Sequence, residues 1–109
     1  MPDAAWKAFE RKIAEVLGGK RRGPDVRGDS GGKNDIIHPH WSAECKLLGA
    51  PGYAQILEAA MQAERNADSE AQCPVAFVKR KGANLENTLV VMRLKTWREW
   101  YGMGPDDES

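Results

Sequence analysis

Between Asn34 and Leu47 the chain reads NDIIHPHWSAECKL, two apolar-rich runs divided by a His-Pro-His corner, and no other stretch restricts the fold as tightly. Runs of this kind around a proline corner predict two strands, Asp35 to Ile37 and Trp41 to Leu47, folded back on each other. Side chains alternate faces along a strand. Ser42, Glu44 and Lys46 therefore share one face, and Ala43, Cys45 and Leu47 share the other. A reversal near Pro39 brings Asp35 opposite Glu44 to Lys46, and directly paired positions have Cβ atoms about 4.5 to 5.5 Å apart. Two carboxylates and an ammonium then converge on one patch. Facing carboxylates repel unless a cation lies between them, and Mg²⁺ accepts carboxylates in ones and twos beside water. The hairpin is a metal site in outline.

The flanking sequence supplies the rest of a small α/β domain. Asp3 is a cap candidate for a helix from about Ala4 to Leu17, with Trp6, Phe9, Ile13 and Val16 or Leu17 at helical spacing and Gly18-Gly19 ending it. Glu10 lies beside that stripe, so its carboxylate borders the core. Lys20 to Arg22 reads as a short strand, followed by a loop rich in Gly, Asp and Arg up to Lys33. A second helix is expected from about Tyr53 to Ala67, with Ile56, Leu57, Ala60, Ala63 and Ala67 inward and Gln55 and Gln62 on its polar flanks. PVAFVKR (Pro74 to Arg80) and TLVVM (Thr88 to Met92) read as buried strands joined through a turn at Gly82 and Asn84. Thr96-Trp-Arg-Glu99 has the pattern of a capping box, which predicts a last helix from Trp97 to about Tyr101. The order α-β-β-β-α-β-β-α gives a mixed sheet flanked by helices.

With 109 residues, 41% of them hydrophobic, the chain is expected to form one domain, residues 1–109, with an acidic tail over 102–109. Without a long apolar run or a signal-peptide pattern, a soluble cytoplasmic protein with no membrane partner is expected. Cys45 and Cys73 lack metal-ligand spacing and read as reduced core thiols. The 16 basic and 16 acidic side chains cancel, which argues against a strong global attraction for nucleic acid. The local distribution matters more. Basic residues gather at Lys20, Arg21 and Arg22, with Arg27 and Lys33 following, and again at Lys79, Arg80 and Lys81. Either set suits a phosphate backbone. Trp6 and Trp97 fit core stripes, Trp41 and Trp100 are candidates for a dimer face, and His38 and His40 read as corner residues rather than ligands.

Taken together, the helical Glu10, the basic glycine-rich loop, Asp35 on one strand, Glu44-Cys45-Lys46 on the next and a helix carrying Gln62 resemble the PD-(D/E)xK nuclease superfamily. Within it, the chain is similar to the small Holliday junction resolvases of archaeal and phage type. FERKIAEVLGGKRRG resembles the first helix and strand of that family, NDII with AECK its metal-binding hairpin, QAERNA its second helix, and PVAFV with LVVM its later strands. Asn34 departs from the proline of the superfamily's name, and Cys45 fills the freely variable position.

The resemblance implies a restriction-endonuclease-like fold in which Glu10, Asp35 and Glu44 ligate or orient Mg²⁺ or Mn²⁺. It further implies that Lys46 assists the attacking water and that Gln62 supports the site from its helix. Pro24-Asp25 and Asp29 stand as weaker alternatives to Asp35, and Gln55 as one to Gln62. The implied activity is endonucleolytic cleavage of branched DNA, by symmetric nicks in a four-way junction made by a homodimer. A nuclease of the same fold with another DNA target and a non-catalytic DNA-binding module are the alternatives.

Overall fold

The computed structural model describes residues 5–22, 35–67 and 69–102. The first helix, α1 (Ala5–Leu17), buries Phe9, Glu10, Ile13 and Ala14. It stops where Gly18 takes a left-handed backbone (φ 76°), a conformation that carries little cost only in glycine. Gly19 follows because the chain passes tightly over the next strand: a Cβ there would lie 2.6 Å from the carbonyl oxygen of Ile37. Trp6 does not join the buried stripe as the spacing predicts. It is 47% exposed, because Phe9 and Ile13 already fill the space beneath the helix.

Strand β1 (Lys20–Arg21) pairs antiparallel with β2 (Ile36–Ile37). The longer β3 (Trp41–Leu48) runs parallel to β4 (Cys73–Arg80), from Trp41 opposite Cys73 to Leu48 opposite Arg80. Helix α2 (Tyr53–Arg65) makes the crossover between them, as a parallel pair requires. Strand β5 (Leu89–Val91) adds antiparallel to β4 after a short 3-10 turn at Leu85–Asn87, and α3 (Leu94–Trp100) closes the described chain. The element order is that expected, but among the described residues the pairing forms two sheets, β1-β2 and β3-β4-β5, rather than one. The break follows from β2 having only two residues before the corner, so its link to β3 begins with one backbone bond, Asp35 N–H to Ala43 O at 3.0 Å.

Alternation along β3 divides the core. Ala43 and Cys45 pack with Phe9, Ile13, Ile36, Val75 and Phe77 on the α1 side, whereas Ala76 and Val78 meet Ala59 of α2 on the other. The buried stripe of α2 is Ala59, Ala60 and Ala63, with Leu57 and Ala67 only half-buried, so the helix is rotated slightly from the expected face. Both cysteines are free and buried. His38 holds the corner: Nδ1 accepts the backbone N–H of His40 (3.0 Å) and of Trp41 (3.2 Å). That leaves Nε2 to carry the proton and donate it to Leu17 O at 3.0 Å.

Three other expectations are corrected. β5 is an edge strand, with Leu89 52% and Val90 66% exposed, since nothing among the described residues pairs with its outer side. α3 starts at Leu94 rather than Trp97. Thr96 is buried inside it and donates to Glu64, which also receives two bonds from Arg93, so docking to α2 fixes the helix start and Thr96 is no cap. Trp97 is consequently half out of the core, while Trp41 and Trp100 are half-buried around the His40 ring. Among the described residues no helix is long and apolar enough to cross a membrane.

Candidate active site

On the side away from β4, no strand among the described residues forms a ladder with β3, and Asp35 fills part of that edge. Its backbone joins Ala43, and its side-chain Oδ2 accepts the N–H of Cys45 at 2.8 Å, satisfying a group that an edge strand would leave unpaired. Arg22 N–H donates to the Asp35 carbonyl from the other side at 2.8 Å. Arg22 thereby holds the backbone of Asp35 and Cys45 its carboxyl, which also makes a hydrogen bond with the carboxyl of Glu44.

Glu44 lies on the α2-facing side of β3 and is 1% exposed. Two contacts clamp this face to the helix. Ser42 Oγ donates to Ala63 O at 2.8 Å, and Asn66 Nδ2 donates to Glu44 Oε2 at 3.0 Å. Burial, and then the charge of Asp35, push the Glu44 carboxyl from its ordinary 4.5 up to about 7, against the opposing pull of Asn66 and Lys46. Asp35 is also raised, by burial, with the Cys45 N–H, Lys46 and Arg21 acting the other way. Two carboxyls in such contact titrate as a pair and share a proton near neutrality. Lys46, half-buried on the same face, is close enough for its charge to favour the ionised form of both.

Glu10 approaches from α1 and is only 6% exposed. Its Oε1 accepts Arg21 Nε at 2.7 Å, joining α1 to β1. Burial raises its pKa, the Arg21 hydrogen bond opposes this, and the charge of Asp35 adds to it, which places Glu10 within the field of the pair. Cys45 separates these acids from the apolar core, and burial followed by their negative charge holds its thiol well above the ordinary value, so it is no nucleophile.

The structure thus brings Asp35, Glu44 and Lys46 together with Glu10 at their flank. Gln62 is half-buried on α2, one turn before Asn66. Asn66 is the helix residue that reaches Glu44, and the sequence reading missed it. A signal was present: it follows Ala63 by three positions and Ala59 by seven, which sets an amide on the apolar stripe. Gln55 accepts the Gly52 N–H at 3.0 Å and caps its own helix. Lys20 is exposed and Arg22 half-buried. Arg27, Lys33, Pro24, Asp25 and Asp29 lie outside the described residues, as do 103–109 of the acidic tail. In the second basic set, Lys79 Nζ donates to Ala83 O at 2.8 Å and Arg80 Nε to Gly49 O at 3.4 Å, so both close turns at the end of β4.

Among the described residues no three His, Cys, Asp or Glu side chains form a group that could hold a metal ion. What is present is a pair. Two carboxyls that must share a proton to coexist are suited to a divalent cation in that proton's place, and their hard oxygens suit Mg²⁺ or Mn²⁺, ions that keep several waters and need few protein ligands. Asp35 and Glu44 offer hard carboxylate oxygens in contact with each other, while Glu10 is engaged by Arg21. In comparisons with known proteins, no family model, no curated protein and no solved structure matches the chain.

Proposed function

We propose that this chain is a metal-dependent endodeoxyribonuclease of restriction-endonuclease-like fold that cleaves branched DNA, most specifically a four-way junction nicked symmetrically by a homodimer. The observation that carries the reading is the contact between Asp35 and Glu44, nine residues apart, with Lys46 on the same strand face. Burying two acids against each other costs stability, so a fold that keeps them with an amine beside them is organised for chemistry rather than for packing.

Asp35 and Glu44 would hold a Mg²⁺ or Mn²⁺ ion, which supplies a more acidic water and neutralises charge on the phosphate. The chain's own residues do the rest. Asn66 and the Cys45 N–H fix the two carboxyls, so the ligands need no reorganisation. Lys46 offers a cation to the attacking oxygen or to the phosphate, where negative charge grows. Lys20, which pairs with Ile37, and Arg22, whose N–H bonds the Asp35 carbonyl, would take the backbone on either side of the cut. A dimer suits a four-way junction because two equivalent cuts need two equivalent sites.

Incubating the protein with a synthetic four-way junction, linear duplex and single strand, each with Mg²⁺ or EDTA, tests this. Paired nicks in the junction, lost in EDTA and in Lys46→Ala, are expected, with the variant's DNA affinity retained. Cuts on the other substrates would point to a nuclease with a different target. The pairing of Glu10 with Arg21 favours a second reading, a DNA-binding module without catalysis, and binding without cuts would select it.

A further inference from the structure

We infer that Trp6 is a stacking platform for an unpaired nucleobase beside the cut, and so a determinant of which DNA structures are bound. The inference rests on the nuclease reading and gives it a substrate-selecting residue. Trp6 opens α1 with its indole 47% exposed, although the helix has a buried stripe one turn further on. Two cations frame it, with Lys7 Nζ 5.6 Å and Arg21 Cζ 5.5 Å from the ring centroid. The Arg21 guanidinium also bonds Glu10 at 2.7 Å, and its charge reaches Asp35. One side chain therefore connects the exposed ring to the acids.

This combination matches the chemistry of a single-stranded nucleotide. An indole face stacks on any base, and neighbouring cations take the phosphates that accompany it. Lys7, half-buried on a flexible stem, can leave the ring to a base and turn its ammonium to a phosphate. A continuous duplex offers no base face along its side. A branch point, gap or frayed end does. The other exposed aromatic pair, Trp97 and Tyr101, does not share these features: at the end of α3 the two rings lie against each other at 5.0 Å.

The test compares wild type, Trp6→Phe and Trp6→Leu, the first keeping an aromatic face and the second only apolar bulk. Affinities are measured in EDTA by fluorescence anisotropy for a continuous duplex and for the same duplex with a central single-stranded gap. Trp6→Leu is expected to lose roughly tenfold in affinity for the gapped DNA with the duplex unchanged, while Trp6→Phe stays close to wild type. Equal losses on both DNAs, no loss on either, or a Phe variant as weak as Leu would overturn the platform. Cleavage by wild type with Mg²⁺ is scored separately. Absent cleavage with the gap-selective loss intact would count against the nuclease reading alone, and cleavage without that loss against Trp6 alone.

Discussion

Replacing Glu44 by Gln should stabilise the cation-free protein at alkaline pH while removing its proposed activity. The Gln amide keeps the shape of the side chain, its oxygen still accepts from Asn66, and its N–H₂ can donate to Asp35, so the carboxyl contact becomes a neutral hydrogen bond. The magnitude follows from the protonation balance. A carboxyl moved from 4.5 to about 7 disfavours its charged form by about 3 kcal/mol. Because the folded value is raised, the native state holds the proton more tightly than the unfolded chain. Its contribution to stability is complete below about pH 4.5 and is lost as pH rises through about 7. Wild type should therefore lose up to about 3 kcal/mol between pH 5 and 8 beyond any slope common to both proteins, and Glu44→Gln should not. Urea unfolding in EDTA at the two pH values measures this, with equal denaturant slopes as the control. Added Mg²⁺ should restore wild type at pH 8 and leave the variant unmoved. Parallel pH curves for the two proteins, or a variant less stable than wild type at pH 8, would refute the reasoning.

Two further substitutions probe the shell around the pair. Asn66→Ala removes the donor that favours ionised Glu44, so it should cost about 1 to 3 kcal/mol at pH 8, less at pH 5, and slow any Mg²⁺-dependent cleavage, as denaturation at both pH values and single-turnover assays would show. Arg21→Ala leaves Glu10 buried without its partner and should destabilise by about 3 kcal/mol at pH 8, partly relieved on acidification as Glu10 takes up a proton. Unfolding curves across that range check it.

The meeting of Asp35 with Glu44 was legible from two local rules, strand alternation and reversal at the proline corner; the chain does reverse there, but β2 pairs with β1 and reaches β3 through Asp35 rather than as a hairpin ladder. The order of elements was legible for the same reason. What escaped was set by tertiary placement. TLVVM has the composition of a buried strand, but composition does not tell a central strand from an edge, and Leu89 and Val90 face outward. Thr96-x-x-Glu99 satisfies a capping pattern, yet the docking of Arg93 and Thr96 on Glu64 starts the helix earlier. Trp6 shares the spacing of Phe9 and Ile13 but sits past the end of the core they fill. Gln62 rather than Asn66 was expected at the site because QAERNA resembles the second helix of the family, and resemblance does not show that the residue closing α2, Asn66, is the one that reaches Glu44.

On the proposed function, Asp35 and Glu44 exchange a shared proton for a divalent cation. Calorimetric titration of Mn²⁺ or Mg²⁺ at pH 6, repeated in buffers of different ionisation enthalpy, counts the protons released on binding. Release of about one proton per bound ion is predicted for wild type, with binding lost in Asp35→Asn and Glu44→Gln. Absence of binding, or binding of equal strength in wild type and both variants, would contradict the account.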